Sequence, residues 1–187
     1  MSIKPRILLS ALPLALVLGA CESPSGSGVI NGGNSVSLSY GGAVTGSFAA
    51  QGGFIATAPP NTQTFAIGTR DGEGTLLVTA YRQRGGARFD VATITVPDAA
   101  VGQVAVDVCP GETCASVSLG LDIGQATGSV AAHTCHLETG TIRVTALSAT
   151  RATGSVSGTG FCLPGSGGTS VPFQVTSGSF EVDVRAR

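Results

Sequence analysis

The densest group of chemically able side chains in this chain is His133-Thr134-Cys135-His136. Two imidazoles and a thiol can ligate zinc or copper, and an imidazole can move a proton at neutral pH. On an extended strand His133 and Cys135 share one face while His136 points to the other. A metal site here therefore needs further ligands, from Cys109, Cys114, Cys162 or a carboxylate. The plainer reading makes Cys135 half of a disulfide and both histidines ordinary strand residues near the surface, and it is preferred. Serine is plentiful, but no Gly-x-Ser-x-Gly elbow leads into a helix, and a Ser-His-Asp triad would have to pass through His133 or His136. The spacing of Asp71, Glu73, Asp90, Asp98, Asp107, Glu112 and Asp122 singles out no pair suited to glycoside hydrolysis. Asp71-Gly72-Glu73-Gly74 offers too few oxygen ligands for calcium and reads as a turn. No catalytic residue, metal or cofactor is assigned.

Arg82, Arg84 and Arg88 gather at one hairpin tip and are the candidate contacts for an acidic partner. The plainer reading of the same arginines, a charged edge that discourages sheet-to-sheet association, is preferred. Charged residues make up only 11% of the chain and the net charge is -1, so there is no basic field for nucleic acid. The chain has no Trp, two Tyr and seven Phe, and alternation assigns most of these rings to a core. That argues against a site that stacks sugars on exposed aromatics.

The elements that must position these groups read as strands. Val36, Leu38 and Tyr40 alternate with serines, and Val44, Gly46 and Phe48 follow, each apolar on one face. Across 74–96, a three-residue turn Gly85-Gly86-Ala87 sets Arg84 opposite Arg88 and Arg82 opposite Asp90. Ala80 then meets Ala92, Val78 meets Ile94, Leu76 meets Val96, Thr79 meets Thr93 and Tyr81 meets Val91. A two-residue turn would set Arg82 against Phe89, so the longer turn is preferred. A second hairpin over 140–160 turns at Ser148-Ala149-Thr150. It sets Ile142 against Val156, Val144 against Gly154 and Ala146 against Ala152, with Thr141, Arg143 and Thr145 facing Ser157, Ser155 and Thr153 on the solvent side. Further strands are expected at 64–69, 101–108, 115–121, 128–135 and 173–185. The fold class is all-β, an antiparallel sandwich or barrel of roughly ten short strands.

The N-terminus carries a different signal. Met1 to Arg6 is a short basic start, Ile7 to Val17 is apolar, and Leu18-Gly19-Ala20-Cys21 closes the segment. This is the layout of an export signal, with an apolar stretch too short to span a bilayer. It resembles a bacterial lipoprotein signal with its lipobox. The resemblance implies removal of residues 1–20 as a signal helix, acylation of Cys21, and attachment to the membrane through that lipid. Glu22 stands where the family's inner-membrane retention signal is an Asp, so the outer membrane of a Gram-negative cell is expected. Residues 21–34 (the lipidated Cys and a Ser/Gly-rich stretch) read as a linker, and 35–187 as a single β-sandwich domain. Gly-Thr-Ile-Arg-Val-Thr before the second turn and Gly-Ser-Val-Ser-Gly-Thr after it are similar to hairpins of small, uncharacterised β-rich bacterial lipoproteins.

Setting Cys21 aside leaves four of the five cysteines, an even set that an exported protein pairs as two disulfides. Cys109 with Cys114 would staple a Pro-Gly turn. Cys135 with Cys162 would tie the two ends of the second hairpin, though its register places Cys162 opposite His136. A bulge at Thr139-Gly140 would repair that mismatch. Two other connectivities remain open. The functional expectation is a non-enzymatic structural or binding module of the cell envelope, meeting an envelope or extracellular partner. The alternative is an envelope enzyme or metalloprotein using His133 and His136.

Overall fold

Alternation of apolar and small polar residues builds every regular element except one single-turn 3-10 helix at Pro60–Thr62. The structure, a computed structural model, describes residues 33–107, 114–124 and 131–187. Within them lie ten strands: β1 (Ser35–Gly42), β2 (Gly46–Gln51), β3 (Phe65–Arg70), β4 (Leu76–Arg84), β5 (Arg88–Val96), β6 (Gly102–Val106), β7 (Ser116–Gly124), β8 (His133–Leu147), β9 (Arg151–Pro164) and β10 (Val171–Ala186). The all-β expectation holds. The signal segment, Cys21 and residues 22–32 lie outside the described residues.

The β4–β5 hairpin has the register its turn dictates, from Arg84 opposite Arg88 out to Leu76 opposite Val96. Gly86 and Ala87 take left-handed φ values of 71° and 59°, which is how three residues reverse the chain. The second hairpin, β8–β9, departs from a uniform ladder. Ile142 meets Val156 and Val144 meets Gly154, but a shift beyond Val144 sets Ala146 opposite Thr153 instead of Ala152. A second shift, between Leu137 and Thr139, moves Cys135 opposite Cys162. The bulge thus falls at Glu138, one residue before the expected Thr139-Gly140. Gly140 follows it at φ 154°, and a Cβ there would lie 2.3 Å from the Ser157 carbonyl oxygen. Only glycine lets the two backbones approach so closely.

Those bulges explain a second departure. Of the separate strand expected over 128–135, residues 133–135 belong to the beginning of β8, which bends at Glu138 and continues to Leu147. Residues 125–130 lie outside the described set. Nor are all the strands short, since β8, β9 and β10 have 15, 14 and 16 residues. A strand that long twists enough for its halves to meet different neighbours. β8 pairs with β7 near its start and with β6 beyond the bulge, while its other edge carries β9. β10 pairs with β9 along one edge, and with β1 and then β3 along the other.

The β10–β3 contact is parallel and only three residue pairs long, Val184 to Ala186 against Gly68 to Arg70. It completes a circuit of pairings through β3, β4, β5, β7, β8, β9 and β10. With so short a seam the result is a barrel-like sandwich rather than an evenly closed barrel. Leu38, Phe48, Leu76, Ile94, Leu119, Ile142 and Phe180 fill its interior and are essentially inaccessible to solvent. No buried side-chain polar atom among the described residues lacks a hydrogen-bond partner.

Asn34, placed by composition at the end of the linker, belongs to the folded domain. It is 1% exposed, its Nδ2 donates to the Ala66 carbonyl (3.1 Å), and its Oδ1 accepts from the Asp183 amide (2.8 Å). One side chain thereby ties the start of β1 to β3 and β10.

Candidate functional site

Arg82, Arg84, Arg88 and Asp90 occupy one face of the β4–β5 hairpin by strand alternation, the face that further along buries Ala80 and Ala92. The Asp90 side chain is 0% exposed and accepts on both oxygens. Its Oδ2 receives Arg82 Nε at 3.0 Å, Arg82 Nη2, and Arg84 Nε at 3.0 Å. Its Oδ1 receives the Asp122 backbone amide at 2.7 Å. Arg88 Nε then meets Asp122 Oδ1 at 2.5 Å, and Arg88 Nη2 donates to the Asp122 carbonyl at 3.1 Å. Asp122 sits at φ 56°, the local distortion of β7 that aims its amide at Asp90.

Arg82 reaches further. Its Nη1 donates to the Ser47 carbonyl of β2 at 2.7 Å, and its guanidinium lies 5.2 Å from the centre of the Phe48 ring. Among the described residues β2 pairs in the sheet with β1 alone, and Arg82 ties it to β4 as well. The three arginines proposed as partner contacts are thus engaged inside the molecule, and they knit β2, β4, β5 and β7 together. Arg84 and Arg88 keep about half their side-chain surface toward solvent.

The histidines do not converge. His133 shares the β8 face that buries Cys135 and Leu137, whereas His136 lies on the opposite face, 6.1 Å from the Phe161 ring. Cys135 is bonded to Cys162 and both are fully buried. Cys114 is also disulfide-bonded; Cys109, its expected partner, lies outside the described residues. Among the described residues no three or more His, Cys, Asp or Glu side chains group as metal ligands. Asp71 Oδ1 accepts the amides of Glu73 (3.0 Å) and Thr75 (2.8 Å), so this carboxylate closes a turn. The Thr75 bond holds its pKa below the ordinary Asp value.

Burial pushes the His136 pKa below its ordinary 6.5. The unfolded chain then binds this proton before the folded one does, so His136 costs stability as pH falls below 6.5 and costs nothing above it. Thermal unfolding of the wild type and of His136→Asn should therefore diverge between pH 7 and pH 5, with the wild type losing more. Parallel curves would show that His136 is solvated.

Phe54, Phe65, Tyr81 and Phe89 form a ladder of rings at successive centroid distances of 5.0, 5.0 and 5.8 Å. It lies on the outer face of β3, β4 and β5, opposite the core. Tyr81 and Phe89 alternate with the inward Ala80, Arg82 and Asp90, so their outward placement was implicit in the hairpin register.

Comparison with family models, with curated proteins and with solved structures found no match. The fold and its side-chain clusters define a disulfide-bonded, barrel-like β-sandwich in which Asp90, its arginines and the Cys135–Cys162 bond connect strands.

Proposed function

We propose that this protein is a lipid-anchored, non-catalytic module of the cell envelope that presents its surface to an envelope or extracellular partner. One observation carries the reading: the side chains most able to do chemistry are engaged in bracing the fold. Asp90 and the three arginines tie four strands, Cys135 is oxidised to Cys162, and the two histidines face apart. Nothing in the geometry favours the alternative of a metalloprotein built on His133 and His136. The anchor rests on Leu18-Gly19-Ala20-Cys21 and its resemblance to a lipobox. With Glu22 after the cysteine, the outer membrane of a Gram-negative cell is the proposed address.

The test is membrane flotation of the wild type and of Cys21→Ser. The wild type should float with membranes, and the variant should become soluble or accumulate as an unprocessed precursor. Unchanged attachment and processing of Cys21→Ser would contradict the anchor.

A further inference from the structure

The outer face of β3, β4, β5 and β7 differs from the rest of the surface. Register places Phe65, Tyr81, Val91 and Gly120 in one cross-strand row, with Phe89 beside Ile123 in the next. The row on the other side is Ile67, Thr79, Thr93 and Ser118. No Asp, Glu, Lys or Arg side chain appears in these rows. Tyr81, Phe89, Val91 and Ile123 are partly exposed, and Phe54 extends the ring ladder beyond β3. By contrast, the outer face of β8, β9 and β10 is polar beyond the Glu138 bulge, with Phe161 and the exposed Leu163 confined to its other end. Thr139 bonds Thr159 there, Thr145 bonds Thr153, and Arg151 pairs with Glu181 and Asp183.

The uncharged face adjoins the point where the chain arrives from its N-terminus. The Asn34 carbonyl accepts the Gly52 amide, the Gly52 carbonyl accepts the Ala66 amide, and Asn34 Nδ2 returns to the Ala66 carbonyl. Phe65 precedes Ala66, and Phe54 follows two residues after Gly52. Ile55, 43% exposed, is one of the few large apolar side chains left in water. The loop that carries it is stiff. The buried Gln63 accepts the Ile55 amide (2.9 Å) and donates to the carbonyls of Ile55 (3.1 Å) and Ala58 (2.6 Å).

We infer that this face docks on the lipid surface to which Cys21 is attached. The inference rests on the lipid anchor proposed above. The twelve residue steps from Cys21 to Gly33 span at most about 43 Å, so the anchor cannot hold the domain far from the bilayer. Tethering at such a length sets an effective concentration of order millimolar, at which a weak apolar contact is enough to orient the domain. Aromatic rings suit the headgroup boundary, and an uncharged face avoids the cost of desolvating ions there. The polar β8–β9–β10 face is left toward the aqueous side for a partner.

The chain contains no Trp, so a single introduced Trp is a unique reporter. The full-length lipidated protein would carry Ile55→Trp, Tyr81→Trp or, as control, Ser157→Trp on the exposed β9 face. Each is reconstituted into phosphatidylethanolamine/phosphatidylglycerol vesicles with brominated acyl chains. Trp at 55 and 81 should lose about half its emission, the response of a ring at the headgroup–acyl boundary, while Trp at 157 keeps its own. Because Ile55 is a surface residue, its variant reports even if Tyr81→Trp is poorly folded. Flotation without quenching at 55 overturns the docking inference alone and leaves the face to a protein. Failure of the wild type to float removes the anchor, and this inference with it.

Discussion

Asp90→Asn should lower the free energy of unfolding by about 3 kcal/mol, the low end of what breaking a buried charge pair costs. The reason lies in the division of labour between the two carboxylate oxygens. Oδ2 receives Arg82 and Arg84, and Oδ1 receives the Asp122 amide. An amide side chain has one acceptor, so either orientation turns its NH2 against a donor inside a site with no access to water. The effect stays at the low end because both guanidiniums reach solvent and recover part of their hydration. Arg84→Ala, which removes a half-exposed partner, should cost less than about 1 kcal/mol. Urea unfolding at neutral pH with the disulfides intact measures both. If Asp90→Asn costs no more than Arg84→Ala, the cluster is solvated surface and does not tie the strands.

The paired substitution Cys135→Ala with Cys162→Ala should cost about 3–4 kcal/mol, from the loop-closure entropy that a crosslink across 27 residues removes from the unfolded chain. Alanine leaves small voids in place of two fully buried sulfurs, which adds to the loss. The same bond holds the register shift at Glu138, since Cys135 faces Cys162 only after that bulge. Protection of the Leu137–Thr139 amides from hydrogen exchange should fall in the variant more than that of the β4–β5 hairpin. A loss below about 1 kcal/mol would mean that the reduced chain is already restricted in its unfolded state.

These two expectations differ in how far they could be read from the residues alone. Arg82 opposite Asp90 followed from Gly85-Gly86-Ala87, because a local turn and a cross-strand charge pair dictate the same register. Arg84 joins Asp90 within the same hairpin, whereas Asp122 completes the cluster only because β7 lies beside β5, and its amide reaches an Asp90 that is 32 residues away. The disulfide required a bulge, and local pattern located it within one residue because Gly140 marks a break without saying where the extra residue sits. The fusion of 133–137 with the second hairpin escaped for the same reason: a bulge can carry a strand through what reads as an end. The parallel seam between Gly68–Arg70 and Val184–Ala186 has no local signature.

The candidate surface divides similarly. The histidines' opposite directions were legible from the pleat. The aromatic ladder was legible only in part: the hairpin register sets Tyr81 and Phe89 on the face opposite Arg82 and Asp90, but Phe54 and Phe65 join them from outside the hairpin. Asn34 reads as linker by composition, and only the folded neighbours Ala66 and Asp183 give its amide partners.

The most direct measurement of the central claim is the intact mass of the protein extracted from cell membranes. The expected result is an N-terminus at Cys21, with residues 1–20 absent and the added mass of acyl chains on the cysteine. A soluble, unacylated protein, or one that retains residues 1–20 without lipid, would contradict it.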